Sequence, residues 1–332
     1  MVVKTTIMLS LFLIPFIIMA TGVVHSVGLL FILYLISGLG MAGIGMGVMH
    51  DANHGSYSKN RQVNRFLGLT MNLIGANAYV WKIQHNMLHH TYTNIDGADD
   101  DIVTPFFLRF SPHEEQRWIH RYQHIYSWFF YGLSTLSWVT TKDFNNLKEF
   151  YQKGLIKEKQ TYQRERLRLA AWKAFYHIFT LVLPMIMVSV SPFLVLAAFV
   201  SMHFMTGLLI TMIFQTAHVM PSTAYPLPDE NGVVANDWTL HQLVTTTNYA
   251  PNSKVFAWLI GGLNHQVEHH LLPGICHVHY KHLAPIVKHT AEEYGIPYHS
   301  KATFWDALTD HTRMLKELGR KETAEDAVMQ ST

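Results

Sequence analysis

Three histidine clusters equip this chain for metal chemistry: HDANH (His50, His54), HNMLHH (His85, His89, His90) and HQVEHH (His265, His269, His270). Each repeats the i, i+4 spacing, which on an α-helix stacks two imidazoles on one face about one turn apart. The doubled histidines of the second and third clusters add a ring rotated by about 100°. One short helix can therefore address two metal ions. Together the clusters hold more imidazoles than the roughly four ligands of a structural zinc ion. The economical reading is a polynuclear site held almost wholly by neutral histidine, a ligand that suits iron, copper, zinc or nickel.

The elements that must position these rings are read from where charge is missing. The 332 residues would suffice for one large or two ordinary soluble domains, yet residues 5–49 and 174–228 contain no Asp, Glu, Lys or Arg. Segments of ~20 apolar residues suit a bilayer, and two fit in each block: 7–24 and 29–49, then 172–190 and 192–214. The expectation is an all-α integral membrane protein, a single domain over 1–332, with four transmembrane helices in two hairpins. A cytoplasmic helical cap of residues 50–171 and 215–332 would hold the histidines. Lys and Arg lie outside the spans, with Lys173 at a boundary, so the basic segments and both termini are expected on the cytoplasmic face. The first span, preceded by Lys4, reads as a retained anchor, because a second span follows almost at once with no clear cleavage site. Cys276 is the only cysteine, which excludes an internal disulfide, and a net charge of +2 argues against a nucleic-acid partner.

A shared site requires all three clusters on one membrane face, hence an even number of crossings between them. The apolar stretches 67–81 and 125–139 are short or interrupted, so both are read as helices lying in or against the interface. A last helix over 304–318 carries an apolar stripe and ends at Gly319.

Several stretches resemble the membrane-bound fatty acid desaturases, within them the front-end and linoleoyl-CoA desaturase-like branch. They are HDANHGSYS (50–58), WKIQHNMLHHTYTNIDGADDDI (81–102), FQTAHVMP (214–221), WTLHQLVTTTNYA (238–250) and GGLNHQVEHHLLPGICHVHY (261–280). The resemblance implies a di-iron centre that uses O2 to remove two hydrogens from adjacent methylenes of an acyl chain, carried on CoA or a lipid. An unactivated methylene has no acidic proton, so side-chain acid–base chemistry cannot do this work and a metal–oxygen cofactor must. Carried over by position, the implied iron ligands are His50, His54, His85, His89, His90, His218, His269 and His270. A ninth position stays open between His265 and Gln266, since the branch reads Gln-x-x-His-His and usually has an aromatic residue where His265 stands. Many front-end relatives carry a fused cytochrome b5 domain marked by His-Pro-Gly-Gly. That motif does not occur here, so electrons are expected from a separate cytochrome b5-like or ferredoxin-like donor and its reductase.

Ligating imidazoles need acceptors for their second ring N–H. From the acidic run Asp96, Asp99, Asp100, Asp101, Asp100 is chosen for that supporting role, alongside Asp51 and His241. His277 and His279 read as a polar turn, and His25, His177 and His203 as side chains satisfied locally near the spans. The run from Lys157 to Arg168 is a basic face suited to anionic headgroups or an electron donor. Two other functions share parts of this pattern: a di-iron membrane hydroxylase or ketolase, and a histidine-rich metal transporter. A transporter would place its ligands near the bilayer midplane, whereas these clusters lie outside the expected spans.

Overall fold

The computed structural model describes residues 1–320, and four of its helices are long and apolar enough to cross a bilayer. Helix α1 (Val2–Ala20) is joined by a short loop to α2 (Val27–His54). Gly22, in the left-handed conformation at φ 77°, makes the turn, and the Ser26 hydroxyl accepts from Leu29 N to start α2. The two helices pack closely because Gly40 presents no side chain. A Cβ there would collide with the Phe12 and Leu11 backbone. Small residues are the usual means of close helix approach in a bilayer, where burial alone provides no driving force.

Helix α2 is longer than its apolar run. Its backbone widens into a π-turn at Ile44–Val48 and continues as α-helix from Met49 to His54, stopped by Gly55 at φ 77°. The first histidine cluster is thus the last turn of a span helix rather than the start of a separate cap. Helix α1 likewise begins before the expected residue 7 and includes Lys4, whose buried ammonium lies 3.1 Å from His277 Nε2.

After the short α3 (Arg61–Gly68), the stretch 67–81 is not one interfacial helix. Gly75, at φ 86°, packs so tightly on Tyr176 and Val139 that no Cβ fits, and the chain breaks there. Asn77 then caps α4 (78–92) by accepting from Tyr79 N and Val80 N. Within α4, residues Lys82–His89 are π-wound. Helix α5 (123–152) contains the second apolar stretch but runs well beyond it, through another π-turn at Trp138–Lys142.

Helix α6 (Lys159–Met187) starts more than a turn before the expected span, its first half being charged, and α7 (Pro192–His218) carries the fourth span through to His218. Helices α5 and α7 cross at Gly132 and Gly207, where a Cβ on Gly207 would lie 2.7 Å from the Gly132 carbonyl. Inside the spans His203 is satisfied by Tyr176 Oη (2.8 Å) and Thr135 Oγ1 (3.2 Å), and His177 by the Lys173 carbonyl.

The rest of the chain supplies α8 (Trp238–Thr245), α9 (Gln266–Leu271), α10 (Tyr280–Glu293) and α11 (Phe304–Leu318). Helix α11 buries Ala307, His311, Met314, Leu315 and Leu318 and stops at Gly319, where a side chain would strike the His120 carbonyl. One departure from an all-α architecture is a two-residue parallel pair, β1 (Asn248–Tyr249) with β2 (Ser300–Lys301). The expected cap reaches 332, and its last residues, 321–332, lie outside the described ones.

Candidate metal centre

The eight histidines expected from the clusters and from position 218 converge. Ring nitrogens of His50, His54, His85 and His269 lie within 4.8 Å of one another, as do those of His89, His218 and His270. His90 stands between the two groups, grouped with His269 and His270. Four elements bring them together: the C-terminal ends of α2 and α7, the π-wound α4, and α9.

The π-winding changes the geometry expected from an α-helix. In a π-helix the repeat is i, i+5 rather than i, i+4. His85 and His90 therefore meet edge-on, with their Nε2 atoms 3.3 Å apart, while His89, stacked on His85 at 5.1 Å, also approaches His218 at a ring separation of 4.7 Å. One helix thus serves both groups.

Whether these residues fit a metal is answered by their unpaired atoms. Nε2 of His50, His54, His89, His269 and His270, and Nδ1 of His90 and His218, are buried without a hydrogen-bond partner. Buried polar atoms normally have partners, so several orphaned ring nitrogens facing one another suit cations. Burial and neighbouring histidines drive His85, His90, His269 and His270 well below the usual imidazole pKa, holding them neutral as ligation requires. For His89 burial acts in the same direction, but the Asp99 and Asp101 carboxylates outweigh it and hold the ring at about 8.

The opposite ring nitrogens are pinned. His85 Nδ1 donates to Asp101 Oδ2 (3.1 Å), His89 Nδ1 to Asp99 Oδ1 (3.0 Å) and His270 Nδ1 to Gln242 Oε1 (2.8 Å). His269 Nδ1 hydrogen-bonds with the Tyr280 hydroxyl at 3.2 Å. Such partners fix the tautomer that leaves Nε2 free. Asp99 is itself locked by Asn94 N and Asp101 N, each donating at 2.9 Å. That turn needs Asn94 in the left-handed region at φ 59°, which Asn tolerates better than most side chains.

The sequence expectations for Asp100, His241 and His277 are corrected here. Asp100 touches none of the histidines: it faces Lys153 at 3.9 Å, and burial pushes its carboxyl up to about 6. His241 Nε2 donates to the Thr93 carbonyl (2.8 Å), while the next residue, Gln242, reaches a histidine of the centre. Asp51 does pair with a cluster histidine, its Oδ1 lying 3.9 Å from His50 Nδ1, and its other oxygen accepts from His277 Nδ1 at 2.8 Å. His277 is thus a buried partner to both Asp51 and Lys4 rather than a plain polar turn. At the open ninth position, the Gln266 amide reaches His218 Nε2 at 3.1 Å, whereas His265 joins neither group and lies 3.8 Å from Glu268. Asn94, Gln242, Tyr280 and Lys4 were not foreseen in these contacts. Gln242 and Tyr280 stand within the stretches quoted above, but nothing in the sequence marks them out.

An apolar cavity of about 680 Å³ adjoins the centre. Phe107, Leu108, Phe130, Ile210 and Phe214 line it, with His85, His89 and His218 at its wall and Lys142, Asn145 and Asn146 providing polar lining.

A helical membrane protein with a polyhistidine centre beside an apolar cavity is thus the class that fold and site define. Its family follows from comparison: the profile of the fatty acid desaturase family matches residues 26–302. The chain belongs to that family. It is 38% identical over 286 residues to an sn-1 linoleoyl-lipid 6-desaturase of Arthrospira platensis, covering 86% of this chain and 76% of that one. It is 35% identical over 291 residues to an sn-1 linoleoyl-lipid 6-desaturase of Synechocystis sp., covering 86% and 79%. It is also 38% identical over 299 residues to an acyl-lipid (8-3)-desaturase of Physcomitrium patens, covering 89% of this chain but 61% of that longer one. The chain therefore spans between about three-fifths and four-fifths of these relatives.

Proposed function

We propose that this protein is an O2-dependent acyl desaturase with two irons held by His50, His54, His85, His89, His90, His218, His269 and His270. The observation that carries the reading is the pair of histidine groups, rich in unpaired ring nitrogens, at the wall of an apolar cavity of about 680 Å³. Bound iron would supply the oxidising power that acid–base side chains lack. The cavity orients an acyl chain against the centre and keeps water from it. The carboxylates of Asp99 and Asp101 and the amide of Gln242 hold the imidazoles in register. The names of the relatives support an acyl-lipid substrate over acyl-CoA, and a desaturase over a hydroxylase, ketolase or transporter. Electrons come from a cytochrome b5-like or ferredoxin-like carrier and its reductase.

The arrangement across the bilayer follows from which helix ends meet. The N-terminal turn of α1 reaches His277, and α2 and α7 both end in the centre, so these ends share one side. The charge pattern makes that side cytoplasmic, with two helical hairpins crossing and both termini inside.

Expression in a host lacking polyunsaturated acids is expected to yield a new double bond whose position is read from the fatty-acid profile. Purified protein loaded anaerobically is expected to hold two irons. A hydroxylated product, or about one iron per chain, would overturn the reading. At the ninth position, Gln266→Ala is expected to lose much of the activity and His265→Phe to keep most of it. Loss of iron in His265→Phe with Gln266→Ala active would reverse that assignment.

A further inference from the structure

Apart from the acyl cavity there is a second recess, of about 540 Å³, lined by His54, Lys59, Arg61, Arg65 and Lys82 among others. Four of its lining residues are cationic and none is acidic. Among the described residues, none of the four makes an ion pair. The other basic run differs: on α6, Arg164 and Arg168 both engage Glu165, at 3.2 and 2.9 Å. Of the eight histidines at the centre, seven are buried and only His54 is not, and His54 lines this recess.

We propose that this recess is the docking surface for an acidic one-electron carrier protein. The inference rests on the desaturase reading. Converting CH2–CH2 to CH=CH with O2 forms two waters and consumes two protons and two external electrons, so a reduced carrier must approach twice per turnover and leave oxidised. A substrate headgroup has to sit where its chain enters the cavity, and the recess shares no lining residue with that cavity. Unpaired cations clustered at the one incompletely buried histidine therefore serve a partner that stays outside the cavity yet comes close to the centre. Electron-transfer encounters are small and transient, and charge complementarity acts mainly on their association rate. Anionic bilayer headgroups are the competing occupant, because α3 also exposes Phe66 (73%) beside Arg61 and Arg65.

The test uses the iron-loaded full chain in phosphatidylcholine nanodiscs, wild type against Arg61→Glu/Arg65→Glu. Isotope-labelled acidic ferredoxin and acidic cytochrome b5 are titrated separately by NMR, and reoxidation of each reduced carrier is followed by stopped flow. The wild type is expected to bind at least one carrier and to lose that binding near 1 M salt, where screening reaches ~3 Å. The variant is expected to react at least about tenfold more slowly with the carrier, while iron content and desaturation driven by the cationic reductant methyl viologen stay within twofold. Equal carrier rates in both proteins, a parallel loss of viologen-driven turnover, or a defect that appears only when phosphatidylserine is added would overturn the proposal, the last assigning the recess to headgroups. Carrier binding without a double bond under viologen would sink the desaturase reading and leave the docking surface standing.

Discussion

Substituting His269 by Ala is expected to abolish desaturation and to lower bound iron, while the protein still inserts and purifies. His269 Nε2 is buried and unpaired, and its ring lies 4.6 Å from His50, 4.7 Å from His90 and 4.9 Å from His54. It therefore belongs to the four-histidine group and also touches the set around His90. Alanine leaves a void where an imidazole would hold metal. Loss of a partner that merely supports a ligand costs roughly 10- to 100-fold, so removal of the ligand itself should exceed that range. The spans do not depend on this ring, so insertion is retained. Iron analysis beside product analysis decides the matter: an active, fully loaded His269→Ala enzyme would remove His269 from the site.

Asp99→Asn is expected to weaken iron binding by roughly 10- to 100-fold, with Asp100→Asn within about twofold of wild type. Asp99 is fully buried and accepts from His89 Nδ1, Asn94 N and Asp101 N. An amide has only one acceptor oxygen, so its NH2 would face one of these N–H groups and leave it unsatisfied, at a cost of about 1–3 kcal/mol. The turn that carries Asp101 to His85 depends on the same carboxylate, so both histidine groups are affected. Asp100 faces Lys153 and touches neither. Iron titrations on the three proteins give the comparison. Equal affinities for Asp99→Asn and wild type would mean that the carboxylate does not set the His89 tautomer.

The neighbouring roles of Asp99 and Asp100 mark where sequence reasoning stops. Charge-free stretches revealed the four spans and spacing revealed the histidines, because both signals are local and periodic. The carboxylates lie on a turn whose direction is set by Asn94 at positive φ, and neither composition nor spacing carries that angle. The same one-residue uncertainty separates His241 from Gln242 on α8. The π-winding of Lys82–His89 depends on which carbonyl each N–H finds once the helix is packed, so the 3.3 Å approach of His85 and His90 is not legible from α-helical angles. Span ends were missed wherever a helix outran its apolar stretch, as α2 does into His50 and His54. The basic recess gathers Lys82 from α4 with Lys59, Arg61 and Arg65 from in and around α3, and separation along the chain hides such a grouping.

The link between Lys4 and His277 joins residues 273 positions apart, and this bears on how the enzyme is made. Domains generally form as their chain emerges, N-terminal parts first, but this centre cannot close early. Its first cluster and the Lys4 side chain are synthesised before the third and fourth spans. Their partners on α9 and at His277 arrive only after the fourth span has been inserted. Until then the nascent protein carries unpaired histidines and a lysine destined for burial, and the cage of ring nitrogens is complete only once α9 has been made. A chain terminated before residue 265 would accordingly retain its spans but have no closed centre for a metal to enter.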